Sequence, residues 1–148
     1  MFRFGTVFLL LAPGLWGENQ APAACARGPV VIDGQLDEAV YRTVPAITDF
    51  VQQVPVEGAP ATEKTEAWIM FDDTNVYVSA RVWDSAPESE WIANEMRRDS
   101  FNLLNNEHFG FMLDTFYDRR NGIIINITPI GGRMDGQIAD ERDWNGDW

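Results

Sequence analysis

Apolar and polar residues alternate along much of this chain, and that alternation predicts β-strands. In Lys64–Phe71 and again in Val76–Trp83, side chains of like character recur at every second position. This is the period of a strand that presents two unlike faces. The short polar run Asp72–Asn75 separates the two segments. Together they predict a β-hairpin.

The second half of the chain repeats this pattern. Glu107–Thr115 and Ile123–Thr128 have strand character, and the Asn121-Gly122 pair before the second of them is typical of hairpin turns. Arg133–Ala139 follows as a further predicted strand. These segments predict consecutive antiparallel strands joined by short turns.

Other segments are less regular. Val30–Ile32 is a short β-branched run, Leu36–Tyr41 predicts about one helical turn, and Thr48–Val54 predicts a strand. Ala86–Arg98 is compatible with a short helix or a long loop. The tail to Trp148 shows no closing element. The chain therefore predicts an all-β antiparallel sandwich, jelly-roll or immunoglobulin-like, with one or two short helices and its last strands missing.

The N-terminus has the order of a secretory signal peptide. The single positive charge of Met1–Arg3 precedes an apolar run, Phe4–Trp16, and small residues follow at Ala21–Ala26. The apolar run is too short for an ordinary transmembrane helix. We expect residues 1–26 to direct export and to be removed, with the cut within Ala23–Ala26. Residues 27–148 would then form the exported domain.

Cys25 is the only cysteine, so it cannot form an intramolecular disulfide. Its position after Ala23-Ala24 raises the alternative of a lipid anchor. Pro22, where a leucine-like residue is usual, disfavours that alternative. The chain also lacks the clusters of cysteine and histidine that bind zinc.

The charge balance limits the kinds of partner that the protein is expected to bind. The formal net charge is -12, which disfavours nucleic acid and anionic membrane surfaces, since both require a basic face. The same carboxylates could hold a structural calcium ion. Six tryptophans and nine phenylalanines are many for 148 residues. Such rings supply a core, and flat rings also stack on the apolar face of a sugar.

Several phrases, in this order and spacing, resemble the family 9 carbohydrate-binding modules. They are Val31–Tyr41, which matches the opening phrase with Tyr41 in place of a tryptophan, and then Pro60–Glu66, Phe71-Asp72-Asp73, Val76–Val78, Arg97–Asp99, Leu113–Phe116, Asp118–Gly122 and Asp143-Trp144. The resemblance covers Pro29–Trp148. It is similar to the N-terminal domain of large exported bacterial proteins whose C-terminal region has no known function.

The resemblance implies a β-sandwich with a sugar-binding face, often a structural calcium ion, and no catalysis of its own. Such modules usually tether glycoside hydrolases to polysaccharide during carbohydrate catabolism. The C-terminal remainder of the same polypeptide would be a further partner. The family's sugar clamp is mostly missing here, because Leu103 and Leu104 stand where a clamp tryptophan would be. Gly110 and Asn126 stand where its acidic and basic partners would be.

The candidate sites follow from residue type and position. The candidate sugar-binding residues are Trp91, Arg97, Arg98, Asn126 and Trp144. Asp84 and Asp99 are the candidate calcium ligands. Trp68 and Trp83 are expected to pack rather than to bind. The arginines could instead brace turns as surface ion pairs. Trp148 could stack on a sugar or pack against strands further along. No catalytic residue is expected, since paired carboxylates arise by chance among 23 acidic residues.

Two further alternatives remain open at this level. A structural or docking domain of a larger cell-surface protein would need no affinity for sugar, in keeping with the missing clamp. A haem-binding sandwich would use His108, the only histidine, with a methionine as the second axial ligand.

Overall fold

A computed structural model describes residues 21–26, 28–139 and 143–145. The chain is mostly β-strand, in two mostly antiparallel sheets, which confirms the predicted all-β, sandwich-like class. Its backbone forms two compact units. The described part of one consists of residues 21–26 and 28–51 with Gly58–Ser85, and that of the other of Gln52–Glu57 with the residues from Ala86 onward.

The first unit holds a three-stranded sheet of β1 (Ala23–Cys25), β2 (Thr65–Phe71) and β3 (Val76–Val82), in that order. β1 runs parallel to β2, and β3 runs antiparallel to it. The turn between β2 and β3 forms around Asp72, whose Oδ1 accepts backbone hydrogen bonds from Thr74 and Asn75. The predicted hairpin is confirmed, because β2 and β3 pair over their whole length, from Thr65 with Val82 to Phe71 with Val76.

The buried residues of β2 hold this unit together. Met70 is fully buried and Trp68 is 4% exposed. The Trp68 indole N–H donates to the carbonyl of Val44, and the Tyr41 ring meets the indole edge-to-face at 5.4 Å between centroids. Tyr41 lies in α1 (Val40–Thr43), so the aromatic pair fixes this short helix on the sheet.

The second unit holds a four-stranded antiparallel sheet of β4 (Phe109–Leu113), β5 (Gly122–Ile127), β6 (Arg133–Ala139) and β7 (Asp143–Asn145), in that order. β4, β5 and β6 lie in the segments where the sequence predicts strands. β7 lies in the tail, where no element is predicted.

The connection from the 3-10 turn η1 (Glu88–Glu90) to β4 packs against the turn between β5 and β6. It includes a second 3-10 helix, η2 (Phe101–Asn105), whose Leu103 is fully buried. A Cβ placed on Gly132 would lie 3.4 Å from Leu103 Cδ1 and only 2.6 Å from the carbonyl oxygen of Glu95. Only glycine therefore lets the connection approach the sheet this closely.

Two sequence predictions in the first half need correction. Thr48–Val54 forms no strand: it contributes only the isolated bridge Val51–Pro60, and Asp49 interrupts it with a left-handed φ of 60°. The helical turn is α1, which begins four residues after the predicted Leu36. The β-branched run Val30–Ile32 is not part of a strand, and Ile32 is 82% exposed.

Some predictions fall outside the described residues. They concern residues 1–20 of the expected signal peptide, and Trp148. Among the residues that the structure does describe, no helix has the length and hydropathy needed to cross a membrane.

Candidate functional site

Two tryptophans of the first unit pack against neighbouring side chains. Trp68 is buried, as expected of a packing residue. Trp83 is 36% exposed, and the Lys64 ammonium lies 4.3 Å from its ring centroid and the Arg81 guanidinium 5.8 Å. These cations compete with a sugar ring for the indole, so Trp83 is a poor stacking platform.

The two other candidate tryptophans, Trp91 and Trp144, lie in the second unit. Trp91 is half-buried, and its indole N–H donates to the carbonyl of Ala86 at 3.3 Å. That bond holds the ring against its own loop. Trp144 lies in β7. Its side chain lies outside the part of the chain that the structure describes.

Arg97 is bound to a carboxylate of its own loop. Its guanidinium donates to Glu95, with Nη2 2.8 Å from Oε2, and its backbone N–H donates to Oε1 at 2.8 Å. The hydroxyl of Ser100 also donates to Oε2. Glu95 is only 8% exposed. The Arg97 side chain is 75% exposed, so it covers the carboxylate and still faces solvent.

Arg98 links the connection between η1 and β4 to the four-stranded sheet. It donates to Asp99 and, at 2.7 Å, to Asp135 of β6. Asp99 in turn accepts from the backbone N–H of Asp135. Both arginines therefore brace the connection, which is the structural alternative that the sequence left open.

The bonds to Glu95 predict a stability change in acid. Hydrogen bonds from Arg97 lower the pKa of Glu95 from 4.5 to about 2. A carboxyl whose pKa is depressed by folding stabilises the protein above its unfolded pKa, and the contribution is lost as the pH falls through the folded value. We expect the melting temperature to fall between pH 4.5 and pH 2. Glu95→Gln should lower it at pH 7 and make the fall in acid shallower. A fall of unchanged steepness would contradict this role of Glu95.

Asn126 is buried, so a ligand bound at the surface does not reach its side chain. It is 2% exposed and pairs across the sheet with Gly110. A Cβ at Gly110 would lie only 2.3 Å from Asn126 Oδ1, so the amide fills the space above the glycine. The two positions that would carry the family's polar clamp contacts thus pack against each other.

The calcium candidates do not form an evident ion site. Asp84 follows β3 in the first unit, and Asp99 lies in the second. Both Asp99 oxygens already accept hydrogen bonds, from Arg98 and from the backbone of Asp135. Among the described residues, no group of three or more acidic, histidine or cysteine side chains is arranged to hold a metal ion.

His108, the candidate haem ligand, is half-buried just before β4. Its Nδ1 lies 2.8 Å from the carbonyl oxygen of Asn106 and donates to it. Nε2 is buried without a hydrogen-bond partner among the described residues. Binding to an iron would require this part of the protein to open.

The loop between β4 and β5, residues 114–121, carries the most exposed aromatic pair of the described chain. Phe116 is 67% exposed and Tyr117 is 87% exposed. The sequence analysis singles out neither residue as a candidate, because the charged residues and the Asn121-Gly122 pair around them are typical of a turn. Adjacent aromatics between two Asp residues were the available signal. We name residues 114–121 the aromatic loop.

Two carboxylates hold the aromatic loop in shape. Asp114 accepts hydrogen bonds from the backbone N–H groups of Phe116, Asp118 and Arg119, the last at 2.7 Å. Asp118 accepts from the backbone of Arg120 and from both the backbone and the side chain of Asn121. The side-chain bond from Asn121 is the main reason that the pKa of Asp118 is lowered. The loop is therefore held by charge-assisted bonds.

The backbone of the aromatic loop is also unusual. Tyr117 and Arg119 have φ values of 56° and 60°, a left-handed conformation that is uncommon for residues other than glycine. Such residues persist where surrounding bonds determine the conformation, and they occur often in ligand-binding loops. Here the bonds to Asp114 and Asp118 supply that constraint. The loop therefore holds Phe116 and Tyr117 exposed on a constrained backbone. Arg119 and Arg120 follow them in the sequence.

Comparisons of the chain with protein-family models, with curated proteins and with solved structures gave no match. The resemblance to the family 9 carbohydrate-binding modules therefore stays a prediction from the sequence phrases.

Proposed function

We propose that this protein is a non-catalytic module of an exported protein and that it binds neutral polysaccharide. The observation that carries the proposal is the pair of adjacent, largely exposed aromatic side chains, Phe116 and Tyr117, on a constrained loop. Large exposed apolar groups that a fold holds in place are typical of interaction sites.

The chemistry of the aromatic loop suits a sugar. An aromatic ring stacks on the apolar C–H face of a pyranose, and neighbouring polar groups bind its hydroxyls. Arg119 and Arg120 lie in the same loop, two and three residues after Tyr117, and carry guanidinium donors. Because the loop is constrained before binding, little conformational entropy is lost when a ligand docks.

Charge favours neutral glycans over acidic ones. The formal net charge of -12 repels polyanions such as polyuronates at low salt. Within the aromatic loop, Asp114 and Asp118 offset the charges of the two arginines. A neutral chain such as xylan, mannan or a β-glucan meets no such repulsion.

The carboxylates support a role without catalysis. Glycoside hydrolysis needs one carboxylic acid that stays protonated, which requires a raised pKa. The resolved shifts among the described carboxyl groups, those of Asp72, Glu95 and Asp118, are all downward. Each of these groups is held as an ionised acceptor of hydrogen bonds.

Calorimetric titration of the exported domain tests the proposal. We expect heat of binding with xylan, mannan or cello-oligosaccharides, and none with polygalacturonate at low salt. Pull-down with insoluble cellulose and xylan extends the test to crystalline substrates. An intact, cooperatively melting domain that binds none of these glycans would contradict the proposal and favour the docking-domain alternative.

A further inference from the structure

β1 lies at the point where the sequence predicts removal of the signal peptide. Its residues, Ala23–Cys25, pair in parallel with Ile69–Phe71 of β2. The next residue continues the contact, because the backbone N–H of Ala26 donates to the carbonyl of Phe71 at 2.8 Å. The segment of small residues is therefore an edge strand of the three-stranded sheet.

The rule of small residues before a cleavage point fits Ala21-Pro22-Ala23, for a cut after Ala23, and Ala24-Cys25-Ala26, for a cut after Ala26. The two cuts have different structural consequences. A cut after Ala26 removes all of β1. The remaining sheet is then the β2–β3 hairpin, with Ile69–Phe71 unpaired on one edge. A two-stranded hairpin is marginal by itself, and an unpaired edge invites association with other chains.

A cut after Ala23 keeps most of the strand. It loses the pairing of Ala23 with Ile69, but it retains the pairings of Ala24 with Met70 and of Cys25 with Phe71. The bond from Ala26 is also retained. The edge of β2 beside the fully buried Met70 therefore stays paired.

We infer that the export machinery cleaves this chain between Ala23 and Ala24, and that the new N-terminus remains as the edge strand of the mature domain. Ala21 and Ala23 then supply the small residues on the signal-peptide side of the cut. The inference rests on the exported state that the proposed function includes. It assigns a processing site and gives the residues after it a structural role.

The intact mass of the exported protein tests the site directly. The full chain is produced in a bacterium that exports it, and the mature form is weighed. We expect a chain that begins at Ala24. Ala23→Leu should block processing and leave the precursor, whereas the matched variant Ala26→Leu should be processed as usual. An exported chain that begins at Arg27, or at Cys25 with added lipid, would overturn the inference.

The outcomes separate this inference from the proposed function. An uncut chain retained in the cytoplasm would overturn export itself, and with it the processing site. Glycan binding by a chain cut elsewhere would leave the proposed function intact and overturn only the site.

As a second measurement, a chain starting at Ala24 should melt about 4 °C or more above one starting at Arg27. Equal melting temperatures would also overturn the inference.

Discussion

Leu103→Ala is expected to lower the free energy of unfolding by about 3 kcal/mol. Leu103 is fully buried in η2 and lies against the turn between β5 and β6, where Gly132 leaves room for it. Truncation to alanine leaves a cavity in addition to the lost transfer free energy. The neighbouring glycine cannot fill that cavity, because it has no side chain. The effect is a large fraction of the stability of a domain of this size.

Urea unfolding of the exported domain, followed by tryptophan fluorescence, measures this loss. The matched control is Leu104→Ala in the same helix, because Leu104 is 41% exposed and truncation there leaves no cavity. We expect the control to change stability by about 0.5 kcal/mol or less. Equal losses for the two variants would show that burial of Leu103 does not hold the connection on the sheet.

Both leucines bear on the family resemblance as well. They stand where a clamp tryptophan would be, and the structure shows that one of them belongs to the core. Gly110 and Asn126, at the two polar clamp positions, fill each other's space. These positions therefore contribute to packing, and an exposed aromatic pair elsewhere in the same unit offers the better surface for a ligand.

The strands that the sequence predicts correctly are the longer ones, with five to seven residues each. In β2–β3 a compact polar turn sets the register. Thr48–Val54 has strand-forming residues but no turn that pairs it with a neighbour. β1 shows the opposite case, because its small residues have low strand propensity and their pairing comes from β2 alone.

The candidate site is harder to predict from the sequence than the strands are, because the exposure of a side chain depends on the tertiary structure. Trp83 and Phe116 look alike in the sequence, since each follows a strand. Only the fold shows that Lys64 covers the first ring while the second stays open. Likewise, the polar character of Asn126 suggests a ligand contact, but its 2% exposure follows from the absent side chain at Gly110.

Tyr117→Ala is expected to weaken binding of neutral oligosaccharide about 30-fold, or about 2 kcal/mol, the usual loss for an aromatic residue at the centre of a contact. Tyr117 is 87% exposed, so removing its ring should leave the melting temperature unchanged within about 1 °C. Alanine and tyrosine have similar difficulty with the φ of 56°, so the loop should keep its shape. Calorimetric titration measures the affinity.

Two further variants decide whether the ring itself is responsible for the loss. Tyr117→Phe keeps the stacking face and should retain affinity within about threefold, a difference of less than 1 kcal/mol. Phe101→Ala removes another largely exposed ring, 61% exposed and located in η2, and should leave affinity unchanged. If Phe101→Ala weakened binding as much as Tyr117→Ala, the ligand would contact η2 as well, and the aromatic loop would not be the specific site of recognition. If all three variants bound as the unaltered domain does, the aromatic loop would have no part in recognition, and any sugar affinity would have to come from another surface.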